Sequence, residues 1–233
     1  MRKFLTARWQ DLIMANYAID PSLLESRVPH GTELDLQDGK CFVSLVGFMF
    51  LDTRVLGLRI PFHTNFEEIN LRFYVKRETE EEMRRGVVFI KEIVPKWAIA
   101  TIARSFYGEP YETAKMWNRN DAGKVLYGAL KGKGVNSIKA TRGDQLGVPA
   151  EGSHEEFIIE HYWGYTKRGN GRTDEYKVEH PKWELYDTRH VKIRVNFAGW
   201  YGKEFAFLKG VIPYSVLLAK GSEIAVYRGQ TVR

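Results

Sequence analysis

The segment from Ile69 to Val75 constrains the fold most, because apolar and polar residues alternate along it without interruption. Successive side chains of a β-strand point to opposite faces, so this pattern predicts a strand with one apolar and one polar face. A charged connection over 76–85 and Gly86 then precede the apolar run Val87 to Ile90. We expect that run to return as a second strand, paired antiparallel with the first.

Other segments also favour extended structure. Cys41 to Phe50 is apolar at nearly every position, which is typical of a strand covered on both faces, and Gly47 within it predicts a bend or bulge. Gly221 and Ser222 predict a hairpin turn between Leu217–Ala219 and Ile224–Tyr227. In the second half of the chain, four further stretches are predicted to be extended: Phe157–Tyr165, Tyr176–Val178, Val191–Phe197 and Leu217–Tyr227.

Helical patterns are few. Asp20 and Pro21 are suited to the N-cap and the first position of a short helix over 20–25. Apolar residues at helical spacing predict a second helix from Pro95 to Phe106, ended by Gly108 and Pro110. No repeat or linker interrupts the sequence, so we expect one domain over residues 1–233, of the α+β class and mainly β. Its strands should form a closed or strongly curved antiparallel sheet with a few outer helices.

Composition excludes several classes of protein. Cys41 is the sole cysteine, so a disulfide framework is excluded. No apolar run is long enough for a membrane helix, and we predict a cytoplasmic protein without membrane contact. The net charge of +6 comes from the second half of the chain, whose densest basic stretch contains Lys131, Lys133, Lys139 and Arg142. Because no nucleic-acid-binding motif accompanies these residues, we interpret the stretch as a solvated loop and do not expect nucleic-acid binding.

The common catalytic motifs are missing from the sequence. It has neither a glycine-rich phosphate loop nor a Gly-x-Ser-x-Gly nucleophile elbow, and its six histidines show no local metal-ligand spacing. We therefore predict no cofactor and no metal, although a site assembled from distant His63, His161 and a carboxylate stays open. Cys41 lies inside an apolar strand, which indicates an inert buried thiol.

The polar face of the alternating strand carries Glu68, Asn70, Arg72 and Tyr74. If this face points into a closed sheet, its groups need partners or a ligand, since an unpaired buried charge is costly. The alternatives are that the face is exposed to solvent or that Glu68 and Arg72 form a structural ion pair.

Several motifs together resemble a bacterial family of unknown function, the YqjF-like proteins. They are Ala7–Leu12, Asp20-Pro21, Pro29–Gly31, Asn65–Val75, Gly86–Phe89, Phe157–Tyr162 and His180–Trp183. Many relatives have Glu-Arg-Tyr where this chain has Glu160-His161-Tyr162, so a role of that arginine does not transfer.

The YqjF-like family is similar in turn to acetoacetate decarboxylase, and this resemblance implies a curved β-barrel around a small active-site cavity. In the decarboxylase, two adjacent lysines follow the region that corresponds to 104–110. The first lysine forms a Schiff base with the substrate, and the second lowers its pKa. Tyr111 and Glu112 stand at those positions here, so we do not expect decarboxylation by that route.

The leading hypothesis is a protein that binds a small anionic or carbonyl-containing molecule in the barrel cavity. Arg72 and Arg104 would hold a carboxylate, and Asn70, Tyr74 and Tyr111 would supply further hydrogen bonds. A second hypothesis is an enzyme of different chemistry, such as enolisation, hydration or lyase-type cleavage. Glu68 would then be the general base, and Tyr111 or Arg104 would steady the oxyanion. A third is a structural or interaction protein. The oligomeric state is left open.

Overall fold

A computed structural model describes residues 2–97, 100–101, 108–131 and 134–232. Most of these residues lie in strands, and the helices are short. The strands are β1 (Lys3–Ile19), β2 (Glu33–Leu34), β3 (Cys41–Val55), β4 (Phe66–Glu78), β5 (Met83–Val94), β6 (Tyr111–Thr113), β7 (Lys115–Asp121), β8 (Lys124–Lys131), β9 (Gly134–Gly147), β10 (Trp163–Lys167), β11 (Thr173–Glu179), β12 (Leu185–Arg194), β13 (Ser215–Ala219), β14 (Glu223–Tyr227) and β15 (Gln230–Val232). The predicted mainly-β α+β class is confirmed.

Helical segments are confined to short connections. α-Helices span His154–Ile159 and Phe197–Tyr201, and single 3-10 turns span Pro21–Leu23, Glu25–Arg27, Gly169–Gly171 and Lys203–Leu208. In the described residues, no helix combines the length and the apolar composition that crossing a membrane requires. The predicted helix from Pro95 to Phe106 falls largely on residues outside the described ranges, where Arg104 also lies.

The strands join in a ring. The order β14-β11-β10-β5-β4-β3-β1 returns to its start because β14 also pairs with β1. Beyond β1, the order β13-β12-β9-β8-β7 continues as a second sheet, and β8 and β7 fold back over β4. Most neighbours are antiparallel, as predicted, but β5 pairs in parallel with both β6 and β10.

Two apolar layers follow from this arrangement. One lies inside the ring, around residues such as Phe48, Phe66 and Trp183. The other lies between the outer face of the ring and the second sheet, where Leu71 and Phe73 of β4 belong to the same cluster as Tyr127, Ile138 and Phe197. Strand β4 is therefore buried on both faces over Phe66–Val75.

The prediction of extended structure from Phe157 was wrong for its first part. Phe157 to Ile159 belong to the helix that begins after Ser153, whose hydroxyl accepts a hydrogen bond from the backbone N–H of Glu156 at 3.2 Å. This N-cap satisfies a free amide of the first turn, and acidic residues there favour the helix dipole. Likewise, the strand predicted from Val191 ends at Arg194, and Phe197 starts a helix.

The predicted hairpin at Gly221 and Ser222 is also wrong. β13 and β14 both pair antiparallel with β1, one after the other, instead of pairing with each other. Gly221 has φ +79°, and a Cβ there would lie 2.2 Å from the carbonyl oxygen of Trp9. The glycine therefore allows the chain to pass close to β1 without turning back.

A bulge does occur where Gly47 suggested one, but it is on the partner strand. Gln10 pairs with Met49 and Ile13 with Gly47, so β1 has one residue more than β3 between these pairs. Asp11, at the bulge, has φ +55°. Gly47 itself leaves room for the ring of Tyr127, which a Cβ would approach to 2.8 Å.

Candidate functional site

The ring of strands encloses a cavity of about 110 Å³. This is several times the roughly 10–15 Å³ that one water molecule requires, so the cavity can hold a small organic molecule. Its walls are mostly aromatic and aliphatic, with contributions from Phe4, Trp9, Phe48, Phe50, Phe66, Phe89, Trp163 and Trp183. Polar side chains are few and concentrated, as is typical of a ligand pocket.

Three of the polar side chains form a row across neighbouring strands. Asn70 of β4 pairs with Glu92 of β5, and Glu92 pairs with Tyr111 of β6. Side chains at paired positions lie on the same face of a sheet. All three line the cavity, so the register of these strands brings together residues that are far apart in the sequence.

Glu68 completes this cluster two residues before Asn70. Its carboxylate accepts a hydrogen bond from Asn70 Nδ2 at 2.8 Å and a longer one from the Tyr111 hydroxyl at 3.3 Å. Burial raises the pKa of Glu68 to about 7, against the lowering effects of the two hydrogen bonds and the charge of Arg72. A carboxyl group with such a pKa can donate or accept a proton near neutral pH.

Glu92 and Glu109 are two further buried carboxyls that line the cavity. Burial raises the pKa of Glu92 well above its usual range, and repulsion from Glu109 and Glu68 adds to this. Burial also raises the pKa of Glu109 to about 7, although the hydroxyls of Thr166 and Tyr176 each donate to it at 2.8 Å. Burial therefore favours the neutral forms of all three carboxyls, and repulsion from Glu68 adds to this for Glu92 and Glu109.

Arg72 lines the same cavity and is 8% exposed. Within the described part of the chain it forms no ion pair. Its one hydrogen bond runs from Nη2 to the sulfur of Met14 at 3.8 Å, and its Nε has no partner there. The guanidinium also lies 5.7 Å from the ring centre of Tyr74. The hydrogen-bonding capacity of this buried cation is thus largely unused.

Two histidines lie at the cavity wall and are uncharged at neutral pH. Burial lowers the pKa of His161 and of His180 to about 4 in each case. His161 contacts Asp35 through Nε2 at 3.2 Å, and His180 stacks on Trp183 with ring centres 4.2 Å apart. His63 lies instead on an exposed segment, where Nδ1 contacts the carbonyl of Pro61. The His63–His161 metal site left open by the sequence is therefore not assembled.

Tyr74 does not join the site, contrary to the sequence-based prediction. It is absent from the cavity wall, and its hydroxyl lies 2.6 Å from the Ser44 hydroxyl. Ser44 in turn donates to Asn16, and Asn16 donates to Ser215, which contacts His154. The phenol is thus committed to a structural hydrogen-bond chain that leads away from the cavity.

Of the predicted site residues, the structure brings together Glu68, Asn70, Arg72 and Tyr111, while Arg104 lies outside the described residues. Sequence reasoning missed Glu92 and Glu109. A signal for Glu92 was available, because it is the one acidic residue of β5 and lies, next to Lys91, in a largely apolar part of the strand. Glu109 gives no comparable signal, since it lies in a loop next to Gly108 and Pro110.

The fold places the chain among acetoacetate decarboxylase-like structures. It is similar to acetoacetate decarboxylase from Legionella pneumophila, with a TM-score of 0.67, 12% identity, and coverage of 100% of this chain and 88% of the other. It is also similar to the enduracididine biosynthesis enzyme MppR complexed with pyruvate, with a TM-score of 0.68, 12% identity, and coverage of 99% and 91%. At such low identity, these similarities concern the fold alone.

Sequence comparison then defines the family. Residues 6–223 match the DUF2071 family, described as an uncharacterized conserved protein, and the chain belongs to this family. It is 26% identical over 192 residues to the uncharacterized protein YqjF of Bacillus subtilis (strain 168). The aligned region covers 81% of this chain and 77% of the relative. The resemblance found in the sequence motifs is confirmed.

Proposed function

We propose that this protein binds a small carbonyl-containing carboxylate in its cavity and that Arg72 holds the carboxylate. The observation that carries the proposal is the buried guanidinium of Arg72, which lines the cavity and forms no ion pair within the described residues. An unpaired buried charge is costly, and a carboxylate matches the planar donor fork of arginine. MppR, of similar fold, is complexed with pyruvate, which is compatible with such a ligand.

The lack of a lysine among the described residues of the cavity wall supports binding without a Schiff base. By the family resemblance, Tyr111 stands where the catalytic lysine is expected, and none of the described residues along the cavity wall is a lysine. Two lysines near this position are directed elsewhere, since Lys91 and Lys131 both pair with Glu112, at 2.9 and 2.6 Å. The proposal therefore includes no covalent intermediate with lysine.

Calorimetric titration with pyruvate and acetoacetate tests this proposal. We expect Arg72→Gln to weaken binding by about tenfold or more, because a hydrogen-bonded charge contributes roughly 1.5–3 kcal/mol. The matched control is Arg119→Gln, which removes an exposed guanidinium paired with Asp121. Equal binding of either ligand by Arg72→Gln and the native protein would contradict the assignment.

A second candidate function is proton transfer next to the carbonyl of the bound molecule, that is, enolisation. It is favoured by Glu68, whose pKa of about 7 suits a general base, and by the Tyr111 hydroxyl within hydrogen-bond distance. In deuterated solvent, the protein should exchange the protons beside the carbonyl of the ligand. Glu68→Gln should abolish this exchange, and Glu112→Gln, on the outer side of β6, should keep it. Exchange that survives in Glu68→Gln would exclude Glu68 as the base.

A further inference from the structure

The charges around the cavity do not balance. Three carboxyls line it, from Glu68, Glu92 and Glu109, whereas Arg72 is the one permanently charged cation among the described lining residues. The positive charge of Arg72 acts on Glu68. Glu109 is influenced by Arg168, which is not part of the cavity wall. No cation among the described residues acts in the same way on Glu92. Among the described residues, the acidic end of the cavity therefore has no positive charge of its own.

Glu92 marks where such a charge would be bound. It is 2% exposed, lines the cavity, and its Oε2 has no hydrogen-bond partner among the described residues. A buried carboxyl oxygen without a partner is uncommon in folded proteins, because each such atom costs the full desolvation penalty. A ligand donor at this oxygen would remove that penalty.

We propose that the ligand carries a primary ammonium group, held by Glu92 and Glu109, in addition to the carboxylate held by Arg72. The ligand class is then a small amino acid that also carries the carbonyl group, and the assignment rests on the proposed function above. Asn70, in the row with Glu92, is two residues from Arg72, which is about 7 Å along a strand. This offset favours an amino group several carbon atoms away from the carboxylate over an α-amino acid.

The surroundings of the acidic end suit an organic cation. Tyr176 donates to Glu109 and lines the cavity together with Trp163 and Phe89, so aromatic rings accompany the carboxyls. Aromatic faces attract ammonium groups, whereas a metal ion needs several oxygen ligands in a defined geometry. Among the described residues, no group of three or more acidic, histidine or cysteine side chains is arranged to hold a metal ion.

The alternative is a neutral group that accepts hydrogen bonds from protonated carboxyls. The two cases differ in the sign of their pH dependence. An ammonium ligand needs ionised carboxylates, so its affinity rises as the pH increases through the range where Glu109 titrates, about 7. A neutral acceptor needs protonated carboxyls, so its affinity falls over the same range.

The test is calorimetric titration with two matched pairs of probes, propionate with β-alanine and butyrate with 4-aminobutyrate, at pH 6 and pH 8. At pH 8, we expect 4-aminobutyrate to bind about tenfold more tightly than butyrate. At pH 6, the difference in affinity between these two probes should be smaller. In Glu92→Gln, this gain should disappear while butyrate still binds as in the native protein. Retained butyrate binding also shows that the variant is folded. The control Glu112→Gln should keep the gain.

Each outcome has a definite meaning. If butyrate binds through Arg72 but the amino group adds nothing, or if its gain persists in Glu92→Gln, the ammonium assignment is overturned and the proposed function stands. If carboxylate binding is the same in Arg72→Gln, the proposed function fails, and the ammonium assignment fails with it. The absence of binding by all four probes would overturn the ammonium assignment, whereas the proposed function is decided separately by the titrations with pyruvate and acetoacetate.

Discussion

The two faces of β4 are equally buried but serve opposite purposes. On the outer face, Leu71 and Phe73 are fully buried against the second sheet, and a void beside Ile69 in the same layer measures only about 10 Å³. On the inner face, Glu68, Asn70 and Arg72 border a cavity of about 110 Å³. One strand therefore contributes both to a closely packed core and to a polar site.

The difference lies in which groups have partners. From Ile69 to Val75, the outer face consists of apolar side chains that fill space without any hydrogen-bond requirement. The inner face buries an amide oxygen of Asn70 and the Nε of Arg72 without partners in the described residues. Burial alone therefore does not distinguish core from site. Unsatisfied polar atoms beside a cavity distinguish a site from a core, because such atoms contribute nothing to the stability of the fold.

The largest expected difference between the faces concerns packing. Phe73→Ala should reduce the free energy of unfolding by about 3–5 kcal/mol, because it leaves a cavity in a closely packed layer. Phe89→Ala, at the inner face of β5, removes a ring that is only partly buried and already borders the cavity. We expect roughly half the loss there. Chemical denaturation of both variants measures the difference, and equal losses would contradict the contrast drawn between the faces.

The next largest effect concerns the pH dependence of stability. Glu68 has a pKa of about 7 in the folded protein, above its usual value. The folded state therefore holds a proton that the unfolded state releases, and the corresponding stability is present at low pH and lost as the pH rises toward 7. Glu68→Gln should remove this loss, which is on the order of 2–3 kcal/mol.

The comparison must be made between the variant and the native protein at each pH. His161 and His180 have pKa values lowered to about 4, so their contribution is lost as the pH falls below the usual histidine range. The histidine contribution opposes the effect of Glu68 on the stability of the native protein. It is the same in Glu68→Gln, so it cancels when the stability of the variant is compared with that of the native protein at one pH. We expect the advantage of Glu68→Gln over the native protein to grow from pH 5 to pH 8. A constant difference would show that the Glu68 pKa is not raised.

The sequence predicted β4 and its two faces because alternation is a local property of the chain. It also identified Glu68, Asn70 and Arg72 as one group, since residues two apart share a face. Tyr74 belongs to the same pattern but points into a hydrogen-bond chain through Ser44, on a partner strand. Local periodicity cannot predict where a cavity ends along a strand.

Glu92 and Glu109 depend on information that is not local. They reach the cavity through the pairing of β4, β5 and β6, and part of that pairing is parallel, across a connection of sixteen residues, 95–110. The helix His154–Ile159 was missed for another reason. A short apolar run fits a strand or a helix equally well, and the N-cap pattern from Ser153 to Glu156 was the signal that could have decided between them.

The smallest expected effect distinguishes a polar contact at the inner face from one at the surface. Tyr111→Phe removes a hydroxyl that donates to Glu68 at 3.3 Å and lowers its pKa. The variant should therefore raise the Glu68 pKa further, and the free energy of unfolding should change by only about 1 kcal/mol. Titration followed by NMR of the glutamate carboxyl carbons measures the shift.

The control is Tyr227→Phe, which removes a hydroxyl that donates to the exposed Glu179 and should leave the pKa of Glu68 unchanged. An unaltered Glu68 pKa in Tyr111→Phe would mean that the long contact does not act as a hydrogen bond, and Asn70 would then be the donor that holds the carboxylate.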